Sequence, residues 1–115
     1  MKIFLPLIFS FVVISGINYL SAKQEHPGKT LFYNLQGKHG SCNTCHTNGS
    51  SAGRWDFETM SIDSEEGRKI PSLKGIGERK DQEEIERSIK LMEKLFAFKL
   101  TNEQRSQLAE YLGTL

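Results

Sequence analysis

The chain has 115 residues, with 15 basic and 14 acidic side chains and a formal net charge of +1. That length accommodates one domain and not two. So even a balance excludes the basic surface that nucleic-acid recognition needs, and apolar residues recurring at helical spacing exclude a disordered chain.

The first element is residues 1–22, MKIFLPLIFSFVVISGINYLSA. Lys2 precedes a mostly apolar run from Ile3 to Ile17, and small or polar residues then lead to Ser21 and Ala22. This is the layout of a secretory signal peptide. Cleavage after Ala22 is expected, with an uncleaved anchor as the alternative. The apolar run is short of the about 20 residues that span a bilayer, and Asn18 interrupts it. No cysteine follows the run directly, so a lipid-modified cysteine at a new N-terminus is excluded. Either way residues 23–115 form an exported domain, periplasmic or held at the outer face of the cytoplasmic membrane. Losing Lys2 would bring the basic count down to match the 14 acidic residues. A domain this small buries only a modest core, which an embedded cofactor would enlarge.

PGKTLFYNLQ predicts a helix over 27–36, with Leu31, Phe32 and Leu35 on one face and Gly37 as its stop. The next stretch, GKHGSCNTCHTNGSSAGRWD, is rich in Gly, Ser and Asn and reads as a loop or one helical turn around the cysteines. From Phe57 to Lys80 the chain is irregular, because Gly67, Pro71, Gly75 and Gly77 break any long element. Asp81 with Glu84 three residues on forms a capping box, and Ile85, Ile89, Met92 and Phe96 follow as an apolar stripe. Thr101 and Gln104 start the last helix, which carries Leu108, Leu112 and Leu115 down one side. No strand, internal repeat or low-complexity stretch is visible. The expectation is an all-α domain of three to four short helices with long loops, and loops of that length need something to wrap around.

Cys42 and Cys45 are the only cysteines, and His46 follows the second. A disulfide between them suits an exported protein. A catalytic CxxC, however, belongs beside a βαβ pattern, and no strand is predicted. A structural zinc needs four ligands. His26 and His39 would have to complete that set, and neither has metal-site spacing. The reading that uses every residue is C-x-x-C-H, the attachment signature of c-type haem. Each thiol adds to one vinyl group, and the adjacent histidine supplies the proximal iron ligand. One covalently attached haem c is the expected cofactor.

With that motif in place, residues 23–115 resemble a small monohaem cytochrome c of the class I family. The first helix with Gly28 and Phe32, then CNTCH, IPSLKGIG and LTNEQRSQLAEYLGTL carry the resemblance. It implies the class I fold: short helices and long loops around the haem, with the first and last helices crossing where Gly28 meets Phe32 and Tyr111, and with Tyr111 also a cofactor contact. It also implies that the carbonyl of Pro71 accepts a hydrogen bond from the far nitrogen of His46. The stretch from His46 to Pro71 is longer than in the smallest family members, and with PSLKGIG it is also similar to domains of di-haem peroxidase relatives.

The family presents a methionine opposite the histidine, often as Met-Pro, which this chain lacks. Met92 falls near the expected position but also lies on an apolar helical stripe, where a core methionine filling a gap is the plain alternative. Met60 is the other candidate. Should neither bind, His26 or His39 could ligate, although His39 lies close to the attachment site for reaching the opposite face, or the iron position stays open or exchangeable. Arg54 and Trp55 in GRWD are read as a carboxylate partner and a haem-packing aromatic. An apolar pocket of Leu73, Ile76, Ile85, Ile89, Leu95, Phe96, Leu108 and Leu112 is expected to exclude water. The resemblance implies a monomeric electron carrier, not an enzyme, docking transiently on redox protein partners, with Lys38, Lys74, Lys94 and Lys99 steering them. A peroxidase-like enzyme or gas-binding sensor is the alternative, and no nucleic acid is involved.

Overall fold

The computed structural model describes residues 25–63 and 65–115. The expected signal segment, 1–22, lies outside the described residues. Among the described residues no helix is long and apolar enough to cross a membrane.

Helix α1, Pro27–Asn34, starts with proline at its first position, where the missing N–H would have had no partner. His26 caps it, accepting from the Gly28 N–H at 3.0 Å through Nδ1. The helix ends two residues short of the 36 predicted, because Leu35 is already extended. A single turn, α2, Cys42–Cys45, carries both cysteines, and a 3-10 turn over Thr47–Gly49 follows. Helix α3, Ile76–Arg79, is one turn long. Helix α4, Gln82–Phe96, and helix α5, Asn102–Leu112, both start with the reciprocal capping box read from their sequences. Asp81 accepts from Glu84 N–H at 2.9 Å, and Thr101 accepts from Gln104 N–H at 3.1 Å.

The all-α expectation needs one correction. Three short strands, β1 Arg54–Asp56, β2 Ser61–Asp63 and β3 Arg68–Lys69, form an antiparallel sheet in the order β2-β1-β3. Trp55 pairs with Ile62 on one side and Arg68 on the other. Two or three residues per strand are too few to show a period of two, and only Trp55 is buried. Gly67 makes the turn into β3 at φ 96°, and a Cβ there would strike the Trp55 carbonyl carbon at 2.6 Å.

Helices α1 and α5 cross at close range. A Cβ on Gly28 would run into the Gln107 carbonyl oxygen and come within 2.6 Å of Tyr111 Cβ. Glycine removes that obstacle, and the rings of Phe32 and Tyr111 then sit 5.8 Å apart. Phe32, Ile76, Ile85, Ile89, Leu108, Ala109 and Leu112 form the core. It lies among α1, α3, α4 and α5, and one side of it faces the cysteine turn.

Candidate functional site

The turn carrying the cysteines is held from both directions. Thr44 Oγ1 accepts the Ser41 N–H at 3.0 Å, and the His46 N–H closes the turn on the Cys42 carbonyl at 2.9 Å. Downstream, the Leu73 N–H donates to the Gly49 carbonyl at 2.7 Å, tying the segment around Pro71 to the turn after His46.

That tie brings two distant residues together. His46 Nδ1 lies 2.9 Å from the Pro71 carbonyl oxygen. A carbonyl only accepts, so Nδ1 carries the proton and Nε2 keeps its lone pair. Burial lowers the His46 pKa, against the raising effect of the Pro71 carbonyl, so the ring favours its neutral form. A neutral imidazole with Nε2 free and Nδ1 anchored is the arrangement a metal-binding histidine requires.

Burial moves both thiols away from the range that favours exchange. Burial pushes the Cys42 thiol up to about 11 and also raises Cys45. Exchange chemistry needs a depressed thiol pKa instead. Cys42 and Cys45 are not bonded to each other. Zinc fares no better: among the described residues no three His, Cys, Asp or Glu side chains converge to hold a metal ion. His26 is occupied as the α1 cap.

Two apolar cavities, of about 310 and 360 Å³, meet at this place. Cys42, His46, Pro71, Leu91, Met92 and Phe98 line both. All eight residues of the expected apolar pocket line one or the other: Leu95 and Phe96 the first, the remaining six the second. Met92 is half-buried and shares both cavities with His46. Met60 is 38% exposed at the turn after β1 and lines neither. Tyr111, expected as a cofactor contact, also lines neither and packs at the helix crossing.

Arg54 lines neither cavity. Its guanidinium donates to the Gly67 carbonyl at 3.0 Å and braces the sheet. Trp55 is 5% exposed and lines the first cavity, and its Nε1 has no partner. His39 lines the same cavity with its ring 5.2 Å from Trp55, and its Nε2 is also buried without a partner. The sequence offered His39 only as a zinc or sixth-position ligand, since a histidine in a glycine-rich loop gives no sign of where it points.

These residues fit a covalently attached haem on three counts. Two thiols stand next to an imidazole whose Nε2 is free. The walls are apolar and carry a thioether. Two buried ring nitrogens lack partners: the Trp55 Nε1–H can donate to a carboxylate that a haem brings, and His39 Nε2 can do so in its Nε2-protonated form. Compared with protein-family models, curated proteins and solved structures, the chain gives no match.

Proposed function

We propose that this chain is an exported monohaem cytochrome c that carries single electrons between redox proteins. The observation that carries the reading is the 2.9 Å contact between His46 Nδ1 and the Pro71 carbonyl, which leaves Nε2 without a partner in a residue that lines one cavity with Cys42 and Cys45. Cys42 and Cys45 would hold the haem as thioethers, His46 would be its proximal ligand, and Met92 its distal one. Haem supplies a one-electron iron couple, and a thioether opposite histidine favours the reduced form.

The protein's own part is to exclude water and limit rearrangement. Ile85, Ile89, Leu108 and Leu112 make a wall without polar side chains. The Pro71 carbonyl fixes the His46 ring and increases its basicity. Phe57, Leu91 and Leu95 line the first cavity and are exposed, which suits brief docking of a partner at that edge. Lys38, Lys74, Lys94 and Lys99 are exposed and available to steer an acidic partner.

The test is the visible spectrum of protein from an export-competent host. Covalent haem staining is expected, with a weak far-red sulfur-to-iron band in the oxidised form that Met92→Ala abolishes. A high-spin spectrum, or rapid carbon monoxide binding to the reduced form, would overturn the carrier reading for a peroxidase-like or gas-binding one.

A further inference from the structure

The expected sixth ligand comes from a helix, not from a loop. Met92 sits within α4, one turn after the buried Ile89 and one turn before Phe96. Phe96 packs edge-on to Trp55 at 5.4 Å, and the Lys38 N–H donates to the Phe96 carbonyl at 2.8 Å. The residue after Met92 makes the tightest ion pair among the described residues. Glu93 takes the Arg105 fork with both oxygens, from Nε at 2.7 Å and Nη2 at 2.9 Å. The two side chains are only 15% and 12% exposed. The same guanidinium donates from Nη1 to Asn102 Oδ1 at 2.8 Å and reaches the Leu100 carbonyl from Nη2 at 3.5 Å. One side chain therefore fastens the end of α4, the link at 97–101 and the start of α5. Ala97 ends α4 in the left-handed region at φ 57°, so the link turns sharply and has little slack.

We propose that Arg105 is a positioning residue for the sixth iron position. By gripping Glu93, it holds α4 in register against α5 and keeps Met92 facing the cavity. This rests on the reading of Met92 as the distal ligand. A ligand from outside binds only when Met92 has moved away. Its apparent affinity is its intrinsic affinity scaled by the fraction of molecules in that state. The pair sets that fraction, because a displaced α4 must give up a bidentate contact that a lysine ammonium cannot reproduce.

The experiment is an imidazole titration of the oxidised holoprotein, followed by loss of the far-red band. The native protein should show the band and bind imidazole weakly. Arg105→Lys should keep the band at rest but bind imidazole on the order of tenfold more tightly, by the population argument. Glu93→Gln should do the same, and the double variant should add little, since both changes break one contact. If Arg105→Lys yields no holoprotein, Glu93→Gln gives the same reading. Ala109→Gly weakens α5 at a buried site outside both cavities and serves as the control for a general loss of stability. Unchanged affinity in the two latch variants overturns the proposal. So does an equal gain in Ala109→Gly at matched stability, or an additive double variant. The underlying reading fails separately. In that case the native protein lacks the band, or Met92→Ala binds imidazole no more tightly than the native protein.

Discussion

His46 and Trp55 show how differently single residues announce themselves. The role proposed for His46 follows from its position after Cys45, because C-x-x-C-H is contiguous and the proposal gives each member one task. Pro71 is 25 residues further on, and only the resemblance to a family pointed to it before the 2.9 Å contact placed it. Trp55 gave a weaker signal. An aromatic beside an arginine suggested packing, but nothing in the sequence said that its N–H would be buried without a partner. Leaving such a donor unpaired costs about 1–3 kcal/mol, whereas a good partner makes it mildly stabilising. If a haem carboxylate accepts from Nε1, Trp55→Phe should lower holoprotein stability by about 1 kcal/mol beyond the change in packing. Denaturant unfolding measures this. An unchanged or higher midpoint would mean that Nε1 has no acceptor in the holoprotein.

At the scale of elements, helices were legible where caps and stripes coincided. Asp81 with Glu84 and Thr101 with Gln104 marked the starts of α4 and α5 to the residue. The strands were not legible. Ser61–Asp63 and Arg68–Lys69 carry no buried side chain, so no face distinguishes them from loop. Their pairing comes from Trp55 packing inward and Gly67 turning the chain, both non-local causes. The α1–α5 crossing lies between these cases, since Gly28 is informative only once Gln107 and Tyr111 are known to approach it. Its cost ranks above that of a cap. Gly28→Ala forces a methyl into the Gln107 carbonyl and should destabilise by about 1–3 kcal/mol. Thr101→Ala loses one capping hydrogen bond and should cost about 1 kcal/mol. Thermal or denaturant unfolding of the two variants side by side checks the ranking, and a larger loss for Thr101→Ala would contradict the close crossing.

For the whole molecule, the sequence raised the expectation of a small exported domain with long loops and an apolar interior. The two cavities explain why those loops are long: they enclose a space on both sides of His46 and Met92. Neither the sheet nor the Glu93–Arg105 latch could be read in advance, because each joins residues that only the fold brings together. The latch has a consequence for acid stability. Its hydrogen bond from Arg105 holds the Glu93 carboxyl below its ordinary value of 4.5. A depressed folded value means that the unfolded chain binds the proton first. The contribution of Glu93 is therefore complete above pH 4.5 and is lost as pH falls through the depressed folded value. Glu93→Gln isolates that contribution. The stability gap between native and variant protein should be constant from pH 7 to about 5 and close only below the ordinary carboxyl range. Denaturant unfolding across that range measures the gap. A gap that closes between pH 7 and 6 would place the sensitive group elsewhere, and one that persists at pH 2 would mean Arg105 does not hold the Glu93 carboxylate.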